Sequence, residues 1–235
     1  MIDIVSGPLT QSPPFSVQLS MLRLGSAALP IGAFAYSQGL ESAILQGAVR
    51  NGVDTEAWLG GLLTHSILTC DAPLLARMHT AWSATDWVPL EDWSAQWRAM
   101  RSTRELRDED RQLGMSLLRL LRRQGVEHAN SWLRRAEPSL GIAFSLAGHT
   151  WGLAVRNLLA TYCFAWCEAQ VGAAIRLVPL GQTEAQGIMT QLLAIAAQGL
   201  EASLDLEDHQ ISSTVPGQTL HCIWHESLYT RLFRS

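Results

Sequence analysis

Residues 139–178 read SLGIAFSLAGHTWGLAVRNLLATYCFAWCEAQVGAAIRLV, and this stretch decides the fold. Apolar and small residues recur in it at intervals of three and four, which is the spacing of a buried α-helix. Small side chains let neighbouring helices approach closely. Those expected at such contacts are Gly148, Gly152, Ala169, Gly172 and Ala173. The stretch therefore predicts the central helices of the core.

The segments on either side show helical spacing and no convincing strand ladder. We predict an all-α fold, a single compact helical domain of roughly ten helices, with flexible N-terminal arm and C-terminal tail. The arm covers residues 1–15 and the domain residues 16–235, with the tail beginning at about residue 221. Near the end, Thr183 and Gln186 form a capping-box signature, and residues 208–217 are polar enough to be flexible.

All 17 basic residues are arginines, because the 235-residue chain contains no lysine. The missing lysine excludes a Walker A loop, a pyridoxal Schiff base and a Ser-Lys hydrolase, each of which needs that side chain. The net charge of −4 and the pI near 6.0 argue against a general nucleic-acid-binding protein. Charged residues make up only 16% of the chain, a deficit that indicates surface buried against other chains.

The cysteines and the apolar runs indicate the cellular compartment in which the protein is expected. Four scattered cysteines cannot form a disulfide framework, and no signal peptide opens the chain, so we expect a cytoplasmic protein. Cys163 and Cys167 lie one helical turn apart and are interpreted as small buried hydrophobes. The longest charge-free run, residues 138–155, contains proline and glycine, which favours a buried core helix over a membrane span.

Two ordered loops stand out from the helical pattern, residues 29–41 and residues 177–182. Phe34 and Tyr36 lie on the first loop, where aromatic residues are either structural staples or presented to a partner. Arg176 precedes the second loop and can clamp a carboxylate or phosphate, either of its own chain or of a partner. The two loops together indicate part of a docking surface, with Phe34 in the core and Tyr36 shared with a partner.

Residues 98–123 are the most charged part of the chain, with leucines on one helical face and arginines on another. Four acidic residues each lie within four positions of an arginine, namely Glu105, Asp108, Glu109 and Asp110. This spacing favours an ion-paired, solvated face. The alternative interpretation is a surface that docks a partner.

The end of the sequence has two unusual features. His221 and His225 share a helix face beside Cys222, so a nickel or zinc site is conceivable, and packing or capping is the alternative. The last residues are rich in Tyr, Leu, Phe and Arg, whereas chain ends are normally polar and disordered. Their apolar side chains either dock on their own domain or fold onto a partner.

Four motifs occur in order and together resemble one family, UreF, a urease accessory protein. The motifs are residues 29–41, LPIGAFAYSQGLE; residues 103–107, TRELR; residues 176–182, RLVPLGQ; and residues 225–235, HESLYTRLFRS. The resemblance spans about residue 17 to the last residue, with mild departures such as Thr230, where many relatives have serine.

The resemblance implies an all-helical, dimer-forming protein that is not an enzyme and binds no cofactor tightly. It would bind the accessory protein UreD, called UreH in some organisms, and recruit the GTPase UreG. The assembled complex would handle nickel and deliver it to apo-urease in the cytoplasm, without a role for nucleic acid or a membrane. Whether this subunit accelerates or restrains GTP hydrolysis stays open.

The resemblance also assigns residues by position. The face that recruits the GTPase would use Tyr36, Arg176 and Gln182. The tail, which the family orders against UreD, would use Tyr229, Arg231, Leu232, Phe233 and Arg234. The competing hypothesis is a nickel-binding carrier that uses His221, Cys222 and His225.

Overall fold

The computed structural model describes residues 13–84, 87–135 and 137–235, and in these ranges it contains helices and no strands. The helices are α1 (Phe15–Gly25), α2 (Leu40–Leu45), α3 (Gly52–Leu62), α4 (Ala72–Ala81), α5 (Val88–Ala99), α6 (Arg104–Arg123), α7 (Ala129–Leu133), α8 (Leu140–Thr150), α9 (Val155–Leu177), α10 (Gln182–Asp205) and α11 (Pro216–Glu226). A π-helical segment, Leu63–Asp71, joins α3 to α4 in one rod. The predicted all-α class is confirmed. Most of the predicted arm, residues 1–12, lies outside the described residues.

Helix α8 lies at the centre of the core, as the sequence predicts, and packs against α4, α6 and α9. Its small residues face bulky neighbours: a Cβ at Gly148 would lie 2.5 Å from Leu158, and one at Gly141 would lie 2.7 Å from Trp97. Gly172 was predicted to be a tight contact, but nothing lies within 4 Å of its added Cβ. That prediction is wrong because this position of α9 faces open space.

Carbonyl groups of the π-helical segment bind the chain segment that precedes α11. Thr69 O accepts from Ser212 N at 3.1 Å, and His65 O accepts from Thr214 N at 3.0 Å. In a regular α-helix Thr69 O would bind the N–H of residue 73, which is a proline and has none. Residues 208–217, predicted to be flexible, are therefore held against the rod at these points.

Among the described residues, two helices are long and apolar enough to cross a membrane, the rod Gly52–Ala81 and α9, Val155–Leu177. Their most apolar windows are 72% and 61% buried within the protein. Both therefore read as core helices. Helix α10 begins at Gln182 after Gly181, without a side-chain cap, so the capping box expected from Thr183 and Gln186 is not formed.

Candidate functional site

The candidate site is built where the loop of residues 29–41 meets α6 and the tail, residues 221–235. The loop turns through two left-handed glycines, Gly32 and Gly39, and one left-handed non-glycine residue, Gln38, with φ of 52°. A non-glycine residue in this region is strained unless its surroundings fix it. The side chain of Gln38 donates to Glu109 at 2.7 Å and accepts from the indole of Trp166 at 3.0 Å. The loop is therefore held rigidly against α6 and α9.

Glu41, in the first turn of α2, binds the backbone of the tail. Its carboxylate oxygens accept from Leu232 N at 2.7 Å and from Phe233 N at 2.9 Å. The same carboxylate lies 3.1 Å from Nε2 of His225. All three bonds are buried or partly buried, where a lost partner costs most. Glu41 thus fixes the direction in which the tail crosses the domain.

Glu105 of α6 holds a second point of the tail. One of its carboxylate oxygens lies 2.8 Å from Nδ1 of His225, and the other accepts from Arg231 at 2.8 Å. Burial raises the pKa of the Glu105 carboxyl, whereas His225 and Arg231 act against that shift. His225 is completely buried between two carboxylates and joins α2 to α6.

The final residue, Ser235, is fully buried at the inner end of the site. Its main-chain oxygen accepts from Ser37 N at 2.8 Å, and its hydroxyl donates to Glu109 at 2.9 Å. Burial raises the pKa of Glu109 to about 7, against the opposing effect of donors from Gln38 and Ser235. Arg234 N also donates to Ala35 O at 2.9 Å. The tail is therefore anchored along its inner side.

The two aromatic residues of the loop differ in how far they are exposed. Tyr36 is only 6% exposed, and burial raises its pKa although the Arg234 guanidinium opposes this. Phe34, expected in the core, is 67% exposed. The prediction for Phe34 is wrong because the 3₁₀ turn at Ala33–Ala35 lifts it out of the domain, whereas the tail covers Tyr36.

Arg176 connects the loop to the tail. Its guanidinium donates to Phe34 O at 3.2 Å and lies 4.6 Å from the ring centre of Phe233. Within the described residues Arg176 therefore holds a carbonyl oxygen and an aromatic ring of its own chain, where the sequence suggested a carboxylate or phosphate. Phe233 is buried in a small apolar cluster that includes Leu40, Ala174 and Val178.

The outer side of the tail and of α11 exposes apolar side chains, which we call the outer face. Its members are Leu220, Ile223, Trp224, Tyr229 and Leu232. Tyr229 makes no hydrogen bond within the described residues, and its side chain is fully exposed. A group of exposed large apolar residues of this kind is typical of a protein-binding surface. Of the two fates considered for the tail, docking on its own domain is observed for its inner side.

Comparison with known proteins decides the family. The UreF family profile matches residues 49–193. A urease accessory protein UreF from Alkalilimnicola ehrlichii is 40% identical over 226 residues, covering 96% of this chain and 99% of the relative. One from Nitrosococcus oceani is 40% identical (92% of this chain, 97% of the relative), and one from Hahella chejuensis is 36% identical (95% and 100%).

The chain belongs to the UreF family of urease accessory proteins.

The residues assigned from the UreF resemblance divide into three groups in the structure. Five of them meet at the candidate site: Tyr36, Arg176, Arg231, Phe233 and Arg234. Tyr229 and Leu232 point outward on the outer face. Gln182 is exposed at the start of α10, and no hydrogen bond joins it to the tail within the described residues.

Four site residues of this UreF-family chain escaped the sequence reasoning: Gln38, Glu41, Glu105 and Glu109. A signal for the last of these exists, because residues 105, 109, 113, 117 and 121 follow at intervals of four. The last three are buried leucines, so Glu105 and Glu109 continue the same buried row of the helix. A carboxylate on a buried row requires partners inside the protein.

The same row corrects the interpretation of α6 as an ion-paired, solvated face. Of the four acidic residues in its first two turns, Asp108 alone forms a pair with an arginine of the helix, Arg104, at 3.7 Å. Glu105, Glu109 and Asp110 are buried, and Asp110 accepts from the Trp97 indole at 2.7 Å. The prediction is wrong because these carboxylates serve the tail and the core.

The donor atoms proposed for a nickel carrier point to different partners. Both ring nitrogens of His225 face carboxylates, and Nδ1 of His221 faces the Ser42 hydroxyl at 3.5 Å. The Cys222 thiol is buried, which raises its pKa to about 12. Within the described ranges, no group of three or more His, Cys, Asp and Glu side chains is arranged to hold a metal.

Proposed function

We propose that this UreF-family chain is a non-catalytic scaffold for urease maturation that bridges UreD (UreH) and the GTPase UreG. Nickel would then be handled by the assembled complex and inserted into apo-urease, in the cytoplasm. In this role the subunit needs no tightly bound cofactor, membrane or nucleic acid. The lysine-free sequence supports the division of labour, since a partner must supply the nucleotide-binding P-loop.

The outer face is the observation that carries this proposal. Its apolar side chains lie on a helix and a tail whose inner side is bound by Glu41, Glu105 and Glu109. A surface that is already ordered loses little conformational entropy when a partner binds. We assign the outer face to UreD.

The part of the site that lies at the loops of residues 29–41 and 177–182 would recruit UreG. Tyr36, Arg176 and Gln182 are the residues proposed there, with Arg176 holding the loop through Phe34 O. An arginine supplied to a GTPase can accelerate hydrolysis, and a scaffold can equally restrain it until the complex is complete. A GTPase assay of UreG in the assembled complex, with and without Arg176→Ala, distinguishes these roles. An unchanged rate would remove Arg176 from both.

A second copy of the chain is the proposed partner for α1. Phe15, Leu19 and Leu22 are exposed on one face of this helix, and Phe164 of α9 contacts the helix end at Gly25. An exposed apolar face on one helix can pack against its own copy across a two-fold axis, which suits a homodimer. Leu19→Asp combined with Leu22→Asp should convert a dimer to a monomer in analytical ultracentrifugation.

The decisive experiment separates the outer face from its anchors. Tyr229→Ala combined with Leu232→Ala removes two exposed side chains and leaves the inner contacts in place, so co-purification with UreD should be lost while thermal unfolding is unchanged. Val53→Ala, an exposed apolar residue of α3, is the control and should retain UreD. Deleting residues 229–235 should also abolish binding. Retained UreD binding by the double variant and the deletion would refute the assignment.

A further inference from the structure

Glu105, Glu109 and Asp110 of α6 are buried, so arginines are left exposed at the start of this helix. Arg104, Arg107 and Arg111 recur at intervals of three and four, so they share one side of α6. Arg104 pairs with Asp108. In the described part of the chain neither Arg107 nor Arg111 forms an ion pair, and Arg107 only donates to the carbonyl oxygen of Arg101 at 2.9 Å.

Arg107 and Arg111 line a surface cleft of about 340 Å³ between α6 and the end of α5. Four guanidinium groups line this cleft, those of Arg98, Arg101, Arg107 and Arg111. They come from α5, from the connection that follows it and from two turns of α6. Residues from three chain segments therefore bring positive charge to one concave site in a protein whose net charge is negative.

The three acidic residues of the cleft have partners other than Arg107 and Arg111. Glu137 pairs with Arg98 at 3.1 Å, and Asp108 pairs with Arg104, which does not line the cleft. Asp110 accepts from the Trp97 indole and from Leu140 N at 3.0 Å. None of the three compensates Arg107 or Arg111.

Arg101 forms the floor of the cleft. Its Nη1 donates to Asp71 at 2.9 Å, and its guanidinium lies 4.3 Å from the ring centre of Trp97. These contacts fix the plane of the group, while its other nitrogens make no hydrogen bond within the described ranges. A fixed guanidinium with unused donors is pre-organised for an oxyanion.

The position of these charges is unfavourable for the isolated helix. The N-terminus of a helix carries a partial positive charge, so arginines there are repelled by the helix as well as by one another. Sequence features that oppose local stability are expected where function requires them. An anion in the cleft would relieve both repulsions.

We propose that this cleft binds a polyvalent oxyanion, a group with phosphate or clustered carboxylate oxygens, through Arg107, Arg111 and Arg101. The site lies on the arginine side of α6, whereas the tail occupies its buried side. The inference is independent of the outer face and does not rest on the proposed function. Phosphate and carboxylate are both matched by the guanidinium fork, so the test must include each.

Calorimetric titration of the full chain with pyrophosphate and with tricarballylate, in about 50 mM NaCl to limit screening, measures binding and identifies the preferred oxyanion. Wild-type protein should bind at least one of the two with one-to-one stoichiometry. Arg107→Gln combined with Arg111→Gln should weaken that binding about tenfold or more. Arg119→Gln combined with Arg123→Gln is the matched control, because it removes two exposed arginines with the same spacing from the same helix.

The possible results are separable. Loss in the first double variant with retention in the control supports the site, and the preferred ligand then states whether phosphates or acidic side chains are the natural source. Equal weakening in both doubles would mean non-specific attraction and would overturn the proposal. Absence of saturable binding by wild type would overturn it as well. Circular dichroism of each variant verifies that the helices are intact.

Discussion

Glu109 is the residue at which the loop, the tail and α6 meet. Its carboxylate accepts from Gln38 and Ser235, yet no arginine or lysine pairs with it in the described chain, and burial raises its pKa to about 7. A carboxyl with a raised folded-state pKa stabilises the fold only while it is protonated. The contribution of Glu109 to the free energy of unfolding is therefore complete below its ordinary pKa of 4.5 and is lost as the pH rises through about 7.

Glu109→Gln should flatten this dependence. The amide oxygen can still accept from Gln38, and its nitrogen can donate to Ser235, so the packing is retained without a titrating group. Between pH 5 and pH 8 the wild type should lose up to about 3 kcal/mol of unfolding free energy relative to the variant. Urea unfolding across this pH range measures the difference. Glu127→Gln, an exposed site, should keep the wild-type slope, and an E109Q slope equal to it would contradict the assignment.

The limits of sequence reasoning at this scale follow from the same carboxylates. Composition and spacing identified the tail, the loop and Arg176, because proline, glycine and terminal aromatic residues have local signatures. The partners of Glu41 lie about 190 positions away, at Leu232 and Phe233, and spacing along a helix carries no information about such contacts. The burial of Tyr36 could not be predicted for this reason, since it is the docked tail that covers it. Phe34 was misassigned because the 3₁₀ turn at Ala33–Ala35 lifts it out of the domain.

Helices α6 and α8 cross closely at Gly114. A Cβ there would lie 2.4 Å from the carbonyl carbon of Ser139, a backbone atom that cannot move aside. Ser139 is also the N-cap of α8 and accepts from Ile142 N at 3.3 Å. The glycine therefore sets the distance between the two helices and protects the cap.

Gly114→Ala should destabilise the protein by about 1–3 kcal/mol or more, because the added methyl group forces the helices apart. Gly187→Ala is the matched comparison within α10, where nothing lies within 4 Å of the new Cβ. There the substitution should stabilise the protein by about 0.5–1 kcal/mol through the helix preference of alanine. Thermal unfolding of both variants tests the contrast, and equal effects would argue against the close crossing.

At the level of elements, helix type and core position were predictable and helix junctions were not. The spacing of apolar residues fixed α8 and α9 as central helices. A proline such as Pro73 usually marks the first turn of a new helix, whereas the structure continues through Asp71 and Pro73 as one rod. The rod can continue because Ser212 N, distant in sequence, donates to the carbonyl oxygen of Thr69. Pro73 has no N–H to bind that oxygen.

At the scale of the whole molecule, the described residues form a main core and a second, smaller apolar cluster around Phe233. The smaller cluster joins α2, the end of α9 and the tail, with Leu40, Ala173 and Val178 among its members. Phe233 is the member that the tail contributes. The two cores should therefore respond differently to loss of the tail.

Phe233→Ala should reduce stability by about 3–5 kcal/mol, the usual result of removing a buried phenylalanine. Native-state hydrogen exchange should show faster exchange in α2 and the tail, while amides of α4 and α8 keep their protection. Uniformly faster exchange through all helices would mean that the two clusters unfold as one unit. Leu232→Ala, an exposed neighbour, is the control and should leave the pattern unchanged.

The anchored tail also has a consequence for the thermodynamics of assembly. Ordering a residue costs about 1–2 kcal/mol of conformational entropy, and here that cost is incurred when the chain folds. Association through the outer face should therefore resemble rigid docking, with a heat-capacity change set by the contact area alone. A partner that had to order the tail itself would bind with a larger enthalpy, and that binding enthalpy would change more steeply with temperature. Because Glu41, Glu105 and Glu109 order the tail when the chain folds, the entropy cost of ordering it would not oppose the association of subunits.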